Sequence, residues 1–248
     1  MNPLKIVIYG CKGRMGQALI ALTKENSALE LVGMIDAGES LESITRCDAV
    51  IDFTHADATL PALEKCVELG KIIVIGTTGH SNDVRKAITE ASAKIPVIFS
   101  PNYSVGVNTL FWLTKKAAEI LGSDYDAEVI EVHHRLKKDA PSGTARRLVE
   151  VLDEAYHLDY EKDTRHGRSG MTGERTRNEV GVHAVRGGDV VGDHTVMLAA
   201  PGDRLELIHR ASSRETFARG ALRAALWSRD TKKNQPGLYD MQDVLGLR

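Results

Sequence analysis

The segment that most constrains the fold is the first strand, turn and helix. Lys5-Ile-Val-Ile-Tyr9 is a short apolar run, as a strand buried on both faces requires. Gly10-Cys-Lys-Gly13-Arg-Met-Gly16 follows at once, and Met15, Ala18, Leu19 and Leu22 then recur at helical spacing. In this order Gly10 permits a tight turn, Gly13 lets backbone approach a diphosphate, and Gly16 lets the helix pack closely on the strand. A glycine loop alone is weak evidence, since many loops before helices are glycine-rich. The second strand, Leu29 to Ile35, ends in Asp36, twenty positions beyond Gly16. A carboxylate there suits the two ribose hydroxyls of an adenosine. It would repel a 2′-phosphate by roughly 1–4 kcal/mol at a partly exposed site. A preference for NADH is therefore expected, with NADPH possible.

The alternation continues. Strand-like runs at 49–53, 72–75 and 97–99 are followed by helical patterns at 58–69, 83–93 and 105–121. Repeated strand–helix units predict an α/β fold with a Rossmann-type doubly wound parallel sheet. Ligands of such sheets bind beyond the carboxyl ends of the strands. Asp52-Phe-Thr54, Gly76-Thr-Thr-Gly79 and Ser100-Pro-Asn-Tyr-Ser104 all lie there. Singly, each is an ordinary turn. Together they look like the rim of a cofactor cleft.

Beyond Gly122 the pattern changes, which places a boundary near 104–107. The first domain is expected to comprise 1–104 and 214–248, and the second 105–213. Strands at 128–133, 181–186, 194–199 and 205–211 make the second an α+β domain with a mixed or antiparallel sheet. The short turns Gly187-Gly188-Asp189 and Pro201-Gly202-Asp203 predict antiparallel neighbours. Between them and the preceding helix, 156–179 is crowded with charge, including Arg165, Arg168, Arg175 and Arg177, and reads as a long mobile loop. His183, His194 and His209 read as structural or interface residues. One helix covers one face of a small sheet, so an oligomer is expected to cover the other. The helix at 213–227 is expected to pack back on the first domain, with 237–245 as a short tail.

Bulk properties narrow the function classes. A formal net charge of −2 gives no nucleic-acid footprint. No apolar run reaches membrane-spanning length, and the start carries no signal-peptide pattern, so no membrane partner is expected. Cys11, Cys47 and Cys66 are odd in number and widely spaced, which points to free thiols in a cytoplasmic protein. Cys11 has no histidine near it in sequence to activate it as a nucleophile. No H-e-x-x-H pattern or second ligand pair is present, so no metal is expected.

Glu131-Val-His-His-Arg-Leu-Lys-Lys-Asp-Ala-Pro-Ser-Gly-Thr-Ala145 carries the densest chemistry. On a strand, His133 shares a face with Val129 and Glu131, while His134 falls on the other. Ala145, Leu148, Val149 and Leu152 form a helical stripe, with Ser142 or Thr144 as cap. A helix start beside Gly143 offers free N–H groups and positive potential, which suits a carboxylate or phosphate. Lys137 adds a full charge. The stretch reads as an anion cradle with a proton donor alongside.

These motifs, with Asn102-x-Ser-Val-Gly-Val-Asn108, Gly192-Asp-His194 and Gly237-Leu-Tyr-Asp-Met241, resemble the 4-hydroxy-tetrahydrodipicolinate (dihydrodipicolinate) reductase family over nearly the whole chain. The resemblance implies hydride transfer from a nicotinamide to a small cyclic dicarboxylate, in lysine biosynthesis by the diaminopimelate route. It implies His133 as general acid and Lys137 as a second proton donor and anion contact. His134, Ser142, Gly143 and Thr144 become substrate-carboxylate contacts. The cofactor cleft becomes Gly10, Cys11, Lys12, Gly13, Arg14, Met15, Asp36, Gly76, Thr77, Thr78, Ser100, Pro101, Asn102 and Tyr103. It also implies a homotetramer built through the second domain. From the residues alone, two rivals stand beside it: another Rossmann dehydrogenase acting on an amino acid or sugar, and a dinucleotide sensor without turnover.

Overall fold

The computed structural model describes residues 2–231 and 235–247. In chain order the elements are β1 (Leu4–Tyr9), α1 (Arg14–Lys24), β2 (Leu29–Ile35), β3 (Ala49–Asp52), α2 (Ala56–Leu69), β4 (Ile72–Ile75), α3 (Asn82–Ser92), β5 (Pro96–Phe99) and α4 (Val105–Leu121). There follow β6 (Asp126–His133), α5 (Gly143–Tyr156), α6 (Tyr160–Asp163), β7 (Thr164–His166), β8 (Val180–Arg186), β9 (Gly192–Ala200), β10 (Asp203–Ala211), α7 (Glu215–Thr231), β11 (Gly237–Tyr239) and α8 (Met241–Leu245). The chain divides into two compact units, Met1–Val105 with Arg214–Arg248, and Gly106–Ser213.

The first unit is a six-stranded parallel sheet in the order β11-β5-β4-β3-β1-β2. Strand alternation divides its core. Ile6, Ile8, Ile51 and Val74 pack with Leu19 of α1, with Ala221 and Leu222 of α7, and with Met241 of α8. Val7, Val50, Ile73 and Ile75 pack with Leu63 and Cys66 of α2 and Ile88 of α3. Both faces are therefore covered, which is why these strands read as unbroken apolar runs. Each such side chain contributes roughly 1.5–3 kcal/mol on burial. The segment 237–245, expected as a tail, instead completes the sheet. β11 pairs with β5, and Asp240 caps α8 in a reciprocal capping box with Asp243.

The second unit is a five-stranded mixed sheet in the order β10-β9-β6-β8-β7. The two short turns do not both make hairpins. β9 and β10 are antiparallel neighbours, but β6 lies between β8 and β9, parallel to one and antiparallel to the other. The 187–191 link has to cross the end of β6, and it bonds to the backbone there. Gly187 donates to the His133 carbonyl, His134 to Val190, and Arg135 to Gly188. The expected loop at 156–179 is also more structured than its composition implies. It contains α6 and β7, and Arg168 and Arg175 bind the buried Glu128 at 2.8 and 3.0 Å. On one face Val129, Val182, Val196 and Leu198 pack against Leu148, Val149 and Leu152 of α5 and Leu110 of α4. On the other, Val185 and Ile208 are exposed.

Candidate active site

β6 delivers the central group of the second unit. Alternation turns Glu131 and His133 toward the same covered face, and both are buried. Glu131 is fully buried, a position that an unpaired carboxylate would not tolerate. It has three partners. His133 Nδ1 binds one oxygen, Arg186 embraces both oxygens at 2.8 and 2.9 Å, and the Ser142 N–H donates at 3.0 Å. Burial works against ionisation, but these partners hold the carboxyl down at about 2. The His133–Glu131 contact fixes the imidazole with Nδ1 toward the carboxylate, so Nε2 is the atom available to a ligand. A Cβ on Gly192 would lie 3.0 Å from that Nε2, so a larger residue there would press on the ring.

The same carboxylate organises the helix start. Ser142 caps α5, its hydroxyl accepting from the Ala145 N–H at 3.2 Å while its own N–H is held by Glu131. His194 Nε2 stands 3.2 Å from Ser142 Oγ, and its ring meets that of His133 edge-on at 5.1 Å. Burial, with the nearby His133 charge, pushes His194 down to about 3, so it is neutral at physiological pH. Its Nδ1 is buried with no protein partner among the described residues. Gly143 is exposed and Thr144 half-buried at the first turn. Lys137, in the link between β6 and α5, pairs with Asp139 at 2.9 Å. His134 is half-buried just beyond β6. His133, Ser142, Glu131 and His194 therefore meet at one place, with Gly143 and Thr144 on the adjoining turn.

In the first unit, a cleft of about 440 Å³ opens between the α1 start and the carboxyl ends of β3 and β4. Gly13, Arg14, Met15, Gly76, Thr77 and Thr78 line it, joined by Phe53, Thr54, His55 and Ala56. The loop fits a diphosphate. Gly10 has φ +91°, and a Cβ on Gly16 would lie 2.2 Å from the Gly10 carbonyl oxygen. Among the described residues no side chain caps α1, which leaves its first N–H groups for a ligand. Asp36 is held at the loop, accepting from the Lys12 N–H at 3.3 Å and the Ala37 N–H at 2.9 Å.

Two of the expected cofactor contacts have buried side chains. The Cys11 thiol is packed in the core, and Tyr103 is 1% exposed, its hydroxyl donating to the Ile75 and Ile98 carbonyls at 3.0 and 2.8 Å. What these two positions could offer a nucleotide is chiefly backbone. Ser100, Pro101 and Asn102 form a turn at the end of β5, with the Ser100 hydroxyl bound to the Asn102 carbonyl at 2.9 Å. Sequence reasoning named Glu131 only as a face-mate of His133 and gave Arg186 no role. The available signal was a carboxylate at an inward strand position two residues before a histidine.

An α/β molecule with a glycine-loop cleft in one unit and a carboxylate-oriented imidazole in the other defines a nucleotide-dependent oxidoreductase. Residues 4–103 match the family model "Dihydrodipicolinate reductase, N-terminus", and 106–245 match "Dihydrodipicolinate reductase, C-terminus". The chain belongs to the dihydrodipicolinate reductase family, whose members use NAD(P)H. It is 51% identical over 245 residues to the 4-hydroxy-tetrahydrodipicolinate reductase of Akkermansia muciniphila, covering 98% of each chain. It is 45% identical over 269 residues to that of Syntrophus aciditrophicus, covering 99% of each. Its fold matches a dipicolinate-bound dihydrodipicolinate reductase from Paenisporosarcina sp. TG-14, with a TM-score of 0.77, 22% identity and coverage of 97% and 98%.

Proposed function

We propose that the chain reduces 4-hydroxy-tetrahydrodipicolinate, or its dehydrated form, to tetrahydrodipicolinate in the diaminopimelate route to lysine. The observation that carries this reading is the His133 imidazole tied through Nδ1 to buried Glu131, beside the α5 start that the same carboxylate holds. A reduced nicotinamide nucleotide, held by the Gly10–Gly16 loop, Asp36 and Gly76–Thr78, would supply the hydride. The ring that accepts it gains electron density and must take up a proton. His133 Nε2 donates that proton, a role worth roughly 10²–10⁴-fold. The substrate's two carboxylates are held by Lys137, His134 and the first turn of α5 through Ser142, Gly143 and Thr144. The dipicolinate carried by the Paenisporosarcina relative is a planar dicarboxylate of this kind.

NADH is the preferred donor on this reading, with NADPH accepted less well. Asp36, at the end of β2, would meet the ribose hydroxyls, and Glu39, paired with Lys12 at 2.6 Å, adds negative charge against a 2′-phosphate. The exposed Val185 and Ile208, on the sheet face opposite α5, support assembly as a homotetramer through the second unit. A cytoplasmic location suits three unbridged cysteines. NADH oxidation coupled to the enzyme that supplies the hydroxylated ring tests the activity directly. Absence of substrate-dependent oxidation with either nucleotide overturns it. In that assay His133→Gln is expected to lower kcat far more than it raises KM, while Lys137→Ala damages both. Near wild-type turnover of His133→Gln would remove the proton-donor role.

A further inference from the structure

We infer that Asp52 is a positioning residue for the nucleotide: its carboxylate sets the two loops that form the cleft wall opposite the glycine loop. The inference rests on the nucleotide reading of that cleft. Asp52 ends β3 and is fully buried. Its Oδ1 accepts from the Thr54 N–H at 3.0 Å, the Thr54 hydroxyl at 2.6 Å and the Thr77 hydroxyl at 3.0 Å. Its Oδ2 accepts from the Thr59 hydroxyl at 2.7 Å. Thr77 Oγ1 in turn accepts from the Thr54 N–H at 2.9 Å, which closes a ring across two loops.

Thr54 and Thr77 line the cleft, while Asp52 does not. Asp52 therefore acts through them. Hydroxyls that would otherwise rotate freely are held by the carboxylate, which orders the loop backbone that a ligand would meet. The packing between the loops leaves no slack. A Cβ on Gly76 would lie 2.2 Å from the Phe53 ring, so 53 and 76 are in van der Waals contact just where the carboxylate ties 54 to 77. On the far side, Thr59 Oγ1 stands 2.9 Å from His80 Nε2, which extends the network to the end of the Gly76–Gly79 loop.

The test is the dissociation constant of NADH, read by its fluorescence, together with steady-state kinetics on the full-length protein. Asp52→Asn and Thr77→Val are each expected to weaken NADH binding about tenfold and to raise KM for NADH, with kcat changed by less than about threefold. Thr77→Ser, which keeps the hydroxyl, is expected to stay within about twofold of wild type. The double variant is expected to be no weaker than the worse single one, because both remove one interaction. Dipicolinate binding, measured separately, is expected to be unchanged. Additive losses in the double variant, or equal losses in Thr77→Ser and Thr77→Val, overturn the inference. Should Asp52→Asn fail to fold, Thr59→Val, which removes the Oδ2 partner outside the cleft lining, decides: weaker NADH binding is expected, and unchanged binding overturns the inference. Failure of wild type to bind NADH or NADPH would instead sink the nucleotide reading of the cleft. Wild-type binding with Asp52→Asn unaffected sinks this inference only.

Discussion

Glu131 shows how much of the chemistry rests on one side chain that does not itself meet a ligand. Its carboxylate orients His133, anchors the α5 start and is held by Arg186, which also donates to the Asp139 carbonyl at 2.7 Å. Glu131→Gln keeps the volume but replaces the carboxylate that fixes the His133 ring and the α5 start with an amide. Its kcat is expected to fall roughly 10²-fold. An unchanged kcat would show that the carboxylate serves packing alone. Nucleotide choice also sits at this scale. Glu39→Gln releases Lys12 toward a 2′-phosphate, so the ratio of kcat/KM for NADPH over NADH is expected to rise several-fold. His133, Ser142 and the glycine loop were legible because their residue types announce their chemistry. Arg186 was not, because it lies 55 positions from Glu131 and sequence does not show which strands are adjacent.

Helix α5 illustrates what periodicity reveals and what it hides. Its apolar stripe was readable from sequence, as were β2, β4 and α4 over their full spans, while the cap was narrowed to Ser142 or Thr144 and proves to be Ser142. The buried Asp153 was not. It interrupts the stripe's surroundings without a hydrogen-bond partner for either oxygen among the described residues. Burial first, then Asp163, Glu150 and Asp159, raise its pKa from 3.8 to about 6. A native state that binds the proton more tightly gains stability below the ordinary carboxyl range and loses it as pH rises through about 6. Asp153→Asn is therefore expected to stabilise the protein by about 1–2 kcal/mol near neutral pH, with the gain fading toward pH 4. Thermal melts at two pH values check this. The order of β6, β8 and β9 was hidden for a different reason. A short glycine turn marks a reversal of the chain, but it does not say whether a third strand lies between the two arms.

Across the molecule, charge pairing and chain path set the response to acid and to synthesis. Glu128 and Glu131 are both held at about 2, burial opposing and arginine and histidine partners prevailing. Depressed carboxyls contribute stability above their unfolded pKa and lose it as pH falls, here from 4.5 toward 2. Acid titration followed by circular dichroism is expected to show cooperative loss of structure in that window. Arg175→Gln, which leaves Glu128 less compensated, should move the midpoint upward.

The route of the backbone has a temporal consequence. The unit built from Gly106–Ser213 is contiguous, whereas the six-stranded sheet needs β11, which follows that unit in the chain. A nascent chain can thus complete the later-encoded unit first, while β1 to β5 wait for α7 and the closing strand to leave the ribosome. Stalled chains ending before 214 should expose the Leu19 face of α1 to chaperones, and emergence of α7 and α8 should end that exposure.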